Sequence, residues 1–191
     1  ESHAISFANL VWTSAWLKVH RTVEFFAGLF NNQPMGFYST ATLLRDARRH
    51  GVRFRAASVV ASAWECTVTD DRTIQLGFCV VRGLAEERGR AVVAARERAP
   101  FASLEDFRKR VPLRKEELRT LARIGALNGL PGADHRREAL WNAEEPLDAG
   151  DLFHWKEAAA PGAKTPTPLE AMTPMERTAA DYEGTGLTTG P

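Results

Sequence analysis

Residues 83–110 read GLAEERGRAVVAARERAPFASLEDFRKR, and the reading of this run decides the fold. Gly83 marks a turn, and the residues after it return to the apolar face every three or four positions. That spacing predicts a helix with Ala91, Val92, Ala94 and Ala95 inside. Ser103 is placed to cap the next helix, and Asp106 stands where a capping-box acid belongs. Lys115 to Ile124 predicts another helix, stopped at Gly125. After LNGLPGA, Asp134 caps a last helix that runs through Trp141. Helix, turn and helix thus occur twice in succession, and the expected fold class is mainly α.

Toward the N-terminus the texture stays helical. Residues 4–17 carry no charge, and Trp12 and Trp16 lie one turn apart. A helix that is apolar nearly all round is expected to be buried on most sides. Lys18, His20 and Arg21 end it with positive charge, as the helix dipole favours. A short second helix follows, with Phe25, Phe26, Leu29 and Phe30 as its expected inward stripe. Ser39 caps a third helix, in which Leu43, Leu44 and Ala47 share one face and Gly51 marks a left-handed stop. Its Arg45, Arg48 and Arg49 read as a solvated face. Residues 52–63 read as extended or loop. Two short strands, Glu65–Thr69 and Thr73–Val80, enclose Asp70 and Asp71 in an expected hairpin.

Beyond Glu144 the composition changes. Residues 145–172 are rich in Pro, Ala, Gly and acids, as in a linker or an extended wrap. Thr173, Pro174 and Glu176 then give a strong helix start, with the helix expected to reach about Tyr182. The chain begins at Glu1 without a Met, which suggests a removed segment or a piece of a longer chain.

The net charge of +1 conceals an asymmetry. Residues 82–143 hold 14 basic and 9 acidic side chains, whereas residues 144–191 hold 3 basic and 9 acidic. The middle block is therefore the candidate surface for a polyanion. Its competing reading is a helical surface laced with salt bridges. Two cysteines, Cys66 and Cys79, fit a reducing compartment and read as small apolar residues. The five histidines are scattered, without a Cys partner at zinc spacing, so no metal site is expected. No apolar run approaches the length needed to span a membrane.

Several stretches resemble one family in the same order along the chain. ESHAISFANLVWTSAWLK is similar to the fingers segment of bacterial C-family DNA polymerases, the DNA polymerase III alpha subunits. NNQPMGFYS and DARRHGV resemble the error-prone branch of that family. DRTIQLGFCVVRGL resembles the strand leading into its helix-hairpin-helix region, and GLAEERGRAVVAARERAPFASLEDFRKR that region itself. MERTAADYEGTGLTTGP resembles the approach to an OB domain. The resemblance implies four parts: a helical fingers segment (1–63), a β-hairpin (64–81), a tandem helix-hairpin-helix region (82–144), and a linker with a C-terminal helix leading toward a missing OB domain (145–191).

It also implies an activity for the parent, error-prone DNA-directed DNA synthesis of the translesion or damage-induced kind. Two Mg²⁺ ions would assist it, held by carboxylates that lie outside this chain. Duplex primer-template DNA and a deoxynucleoside triphosphate are the implied partners, with the sliding clamp and accessory mutagenesis proteins in addition. A cytoplasmic location follows. Glu1, Ser2 and His3 match a stretch beside the incoming nucleotide.

A helix-hairpin-helix turn holds a phosphate with backbone N–H groups at a helix N-terminus, which calls for glycine. Arg82, Gly83, Leu84, Arg88 and Arg90 form the first candidate DNA contact. Gly125, Arg136 and Arg137 form the second. The usual second glycine of the first turn is Ala85 here, and Glu86 and Glu87 follow it. Two other functions stay open, a free-standing DNA-binding helical module without sequence preference and a protein-interaction scaffold whose acidic tail meets a partner.

Overall fold

The computed structural model describes residues 2–144 and 169–190. The described residues form eight α-helices and three short strands: α1 (Ser2–His20), α2 (Thr22–Asn31), α3 (Thr40–Arg49), β1 (Arg53–Arg55), β2 (Thr67–Asp70), β3 (Thr73–Gln75), α4 (Glu86–Arg98), α5 (Leu104–Arg110), α6 (Lys115–Arg123), α7 (Arg136–Glu144) and α8 (Pro174–Thr185). The mainly α class holds. The expected linker lies largely outside the described residues.

Helix α2 buries Val23, Phe26, Ala27 and Phe30, an i, i+3, i+4, i+7 stripe. That stripe is turned from the expected one. Phe25 and Leu29 pack only partly against the core. Helix α3 buries Leu43, Leu44 and Ala47 as expected. Ser39 Oγ accepts the Thr42 N–H at 3.2 Å, and Gly51 follows the helix at φ +82°. One arginine of α3 is more than a solvated charge, since Arg48 donates to the Thr189 carbonyl at 2.6 Å.

The sheet has the order β1-β3-β2. β3 pairs antiparallel with β2, across a bulge between Val68 and Asp70. It pairs parallel with β1, with Arg53 opposite Thr73 and Arg55 opposite Gln75. The expected hairpin is present, with Asp70 Oδ1 accepting the Arg72 N–H at its tip. Its second strand stops at Gln75 instead of running to Val80. Phe78 and Cys79 donate instead to the carbonyls of Ala63 and Trp64, at 3.0 and 2.8 Å. The chain leaves the ladder there and coils into a 3₁₀ turn, Phe78–Val80.

One apolar core joins these parts. It runs from Val23 in α2 through Ile74 and Phe78 to Phe107, Leu121, Leu127 and Leu187. The expected boundaries at residues 63 and 81 fall inside it. Two buried polar residues in this core are satisfied together. Gln75 Nε2 donates to the Ala56 carbonyl at 2.7 Å and to Ser62 Oγ at 3.0 Å. Ser62 Oγ donates to the Leu76 carbonyl at 2.6 Å.

Helix α1 departs from expectation. None of its described residues is buried, and Trp12 is 74% exposed. Apolar composition told how the helix would prefer to sit, but among the described residues α2 is its main neighbour. The ion pair of Lys18 with Asp46 (2.8 Å) also ties its last turn to α3. Ile5, Phe7, Leu10, Val11 and Trp12 are all left exposed around the helix. The isolated chain is therefore expected to self-associate. Light scattering should show a mass that rises with concentration, and Val11→Glu with Trp12→Glu should lower it. A wild-type monomer at every concentration would contradict this.

Candidate nucleic-acid interface

The first hairpin follows the 3₁₀ turn directly. Val81 and Leu84 are buried on either side of the exposed Arg82 and Gly83. Gly83 adopts φ +77°, a left-handed conformation that a side chain would strain. A Cβ there would meet nothing within 4 Å, so the turn is open to solvent. Its amide has no hydrogen-bond partner among the described residues. Helix α4 then begins after Ala85, whose own side chain provides no cap.

An internal anion already sits at that helix start. Glu117 on α6 is only 3% exposed. One of its oxygens accepts the Ala85 N–H at 3.3 Å. The other accepts the Arg114 N–H at 2.8 Å and lies 3.1 Å from Arg88 Nε. Arg88 also donates to the Pro112 carbonyl. Glu117 thus closes the first hairpin against the start of α6. Sequence reading missed it, although a Glu three residues into a helix has the spacing of a backbone cap.

The second turn is packed more tightly. Ile124, Ala126 and Leu127 are buried. Gly125 stands at φ +76°, and a Cβ there would lie 2.8 Å from Arg136 Nε. Arg136 is 13% exposed and pairs with Asp181, also 13% exposed, at 2.7 Å. It donates as well to the carbonyls of Arg123 and Arg177. Arg137 pairs with Glu176 at 2.7 Å and donates to the Glu170 carbonyl.

Both hairpins therefore face α8. Arg82 gives its backbone N–H to the Gly184 carbonyl at 2.8 Å. Its guanidinium donates to the carbonyls of Tyr182 and Glu183. A cation at the end of α8 complements the helix dipole. Helix α8 itself begins as expected, with Thr173 and Glu176 as a reciprocal capping box. The described part of the acidic tail thus meets the chain's own arginines.

Further along, Lys115 and Arg119 of α6 reach Glu144 at the end of α7. The Arg119 guanidinium, with Lys115, holds the Glu144 carboxyl down at about 2.

Of the expected DNA-contacting arginines, Arg82, Arg88, Arg136 and Arg137 are thus engaged within the chain. Among the described residues Arg90 is bound only by an exposed pair with Glu86 at 2.8 Å. Of the further exposed arginines that hold no ion pair among the described residues, three lie close together and are absent from the sequence-based set. Arg53 and Arg55 stand two apart on the edge strand β1, and Arg72 lies at the hairpin tip. The Arg53 N–H donates to the Arg72 carbonyl at 2.6 Å, which brings these positions together. Asp70 beside them is held below the usual carboxylate range, first by the Arg72 N–H and also by Arg53 and Arg55. Alternation on a short strand was the signal available for the first two.

Ser2 and His3 lie at the exposed start of α1, with the His3 ring 4.5 Å from that of Phe7. Glu1 lies outside the described residues. Among the described residues no three His, Cys, Asp or Glu side chains come together as a metal ion would require. No described helix is long and apolar enough to cross a membrane.

Comparison with known proteins adds a family context. Residues 51–139 match the helix-hairpin-helix motif. The match starts ahead of the sheet and ends within α7. Along its whole length the chain is similar to proteins named error-prone DNA polymerase. Identity is 43% over 199 residues with the protein from Azoarcus sp. strain BH72. It is 44% over 195 residues with that of Bordetella parapertussis, and 43% over 197 residues with that of Alkalilimnicola ehrlichii. Each alignment takes in all of this chain and 18% of the relative. The homologues are thus error-prone DNA polymerases, and the chain spans under a fifth of their length.

Proposed function

We propose that this chain is the part of an error-prone DNA polymerase that grips duplex DNA through its helix-hairpin-helix region. The observation that carries the reading is the full-length similarity to proteins of that name, joined to a helix-hairpin-helix motif over residues 51–139. The open Gly83 turn, whose amide has no hydrogen-bond partner among the described residues, supports a phosphate contact there.

The side chains divide into two roles. Arg82, Arg88, Arg136 and Arg137 hold helix ends and buried carboxylates, and so keep the hairpins and α8 in place. Arg90 is free to turn to a phosphate, since an exposed i, i+4 pair contributes only about 0.3–0.5 kcal/mol. Arg53, Arg55 and Arg72 need break no ion pair. Contacts of this kind position a duplex and read no sequence.

Nucleotide addition belongs to the longer protein, with Mg²⁺ and a deoxynucleoside triphosphate. The described residues assemble no carboxylate cluster that fits such metal ions. Ser2 and His3, exposed at the start of α1, would offer a hydroxyl and an imidazole to the triphosphate.

The test uses a fluorescent duplex and the variant Arg53→Gln/Arg55→Gln/Arg72→Gln/Arg90→Gln. Affinity should fall, and the salt dependence should flatten by about one unit of slope per lost phosphate contact. Unchanged affinity and slope in a folded variant would overturn the assignment of these arginines.

A further inference from the structure

We infer that Cys66 and Cys79 form an intramolecular disulfide when the protein meets a hydroperoxide. Their sulfurs lie 3.9 Å apart, although the cysteines stand 13 positions apart in sequence. The two cysteines lie on separate segments, one just before β2 and the other in the 3₁₀ turn, and a third residue holds them both. Asn31, at the end of α2, accepts the Cys66 N–H at 2.7 Å and donates to the Cys66 carbonyl at 3.0 Å. The same Asn31 oxygen lies 3.8 Å from the Cys79 sulfur. The Gly77 N–H points at the Cys66 sulfur from 3.3 Å.

The pair is asymmetric in the way a two-step oxidation requires. Cys66 is buried, and Cys79 is half-buried and nearer solvent. A hydrogen bond from Cys66 holds the Cys79 thiol below its ordinary value. The same bond, with burial, pushes Cys66 up. Cys79 is therefore the thiol that ionises and meets the oxidant first. Neither cysteine looked reactive in the sequence, because the pairing depends on the turn that replaces the end of the second strand.

The chemistry balances with a hydroperoxide as the oxidant. The Cys79 thiolate attacks one peroxide oxygen, the O–O bond breaks, and hydroxide or alkoxide departs. Cys79 becomes a sulfenic acid. The Cys66 sulfur then attacks the Cys79 sulfur, and its proton goes to the departing hydroxide as water. The net change is loss of two thiol hydrogens and two-electron reduction of the peroxide, giving two waters when it is hydrogen peroxide. The sulfurs must close from 3.9 Å to about 2.05 Å. The segment before β2 and the 3₁₀ turn, which carry the two sulfurs, have to approach each other by that amount.

The test treats the full chain with hydrogen peroxide, blocks remaining thiols without reductant, and measures the intact mass. A monomer should appear with both thiols lost together, two hydrogens lighter, and dithiothreitol should restore both. In Cys66→Ser, Cys79 should stop at a sulfenic acid that dimedone captures. Cys66 occupies a buried position, so the wild-type mass alone decides the matter if that variant does not fold. Two free thiols after treatment would overturn the inference. So would Cys79 oxidised with Cys66 still free, or a disulfide-linked dimer.

Discussion

Replacing Glu117 by alanine is expected to lower stability by about 3 kcal/mol, because it leaves two amides and a half-buried guanidinium without their acceptor. Glu117 is 3% exposed, while Arg88 beside it is 28% exposed. Three donors converge on its carboxylate: the Ala85 and Arg114 amides and the Arg88 guanidinium. Without it, Arg88 keeps only the Pro112 carbonyl, and the start of α4 loses its acceptor. Urea unfolding followed by circular dichroism measures the loss. Glu117→Gln should lose less, since its carbonyl still accepts an amide. The double variant Arg88→Met/Glu117→Met should also lose less than Glu117→Ala, because neither charge is left alone. A change below about 0.5 kcal/mol in Glu117→Ala, the range of ordinary surface substitutions, would refute the role given to this residue.

The second large effect belongs to Arg136→Met. The pair with Asp181 is nearly enclosed, and Asp181 also accepts the Thr188 hydroxyl at 2.8 Å. Loss of the arginine leaves that carboxylate short of its cation and frees the carbonyls of Arg123 and Arg177. The expected loss is about 3 kcal/mol, the lower end for breaking a buried pair. Much of it should appear locally. Helix α8 is held by Arg82, Arg136 and Arg137, so hydrogen exchange should rise across residues 174–190 before the core opens. Exchange that stays unchanged there would show that α8 is held by other contacts.

The residues that end helices were the most legible. Ser39, Ser103 and Thr173 cap helices where the sequence placed them. Gly51 takes the left-handed stop, and Asp70 and Asp71 turn a hairpin. Each of these depends on neighbours within four residues. The stripe of α2 was harder, since Phe25, Phe26, Leu29 and Phe30 leave little polar contrast to fix the rotation. The face of α1 was harder still. A helix apolar all round gives no direction, and nothing in its own sequence says what lies beside it.

At the candidate interface the turns were legible and the arginine partners were not. Arg88 meets Glu117, Arg136 meets Asp181 and Arg137 meets Glu176, all from distant parts of the chain. Spacing carries no trace of such pairs. Charge did carry a trace, because the basic middle block and the acidic C-terminal block are opposite in sign. Their attraction is partly spent inside the molecule, in the α8 contacts. What remains for a polyanion is therefore smaller than the composition suggested, and it includes the sheet edge as well as the first hairpin.

Duplex binding by the chain across a range of monovalent salt tests the DNA grip most directly. The logarithm of affinity should fall linearly with the logarithm of salt, with a slope of about −0.9 for each phosphate neutralised. Two duplexes of unrelated sequence should give the same line. Affinity indifferent to salt, or no binding at low salt, would contradict the assignment.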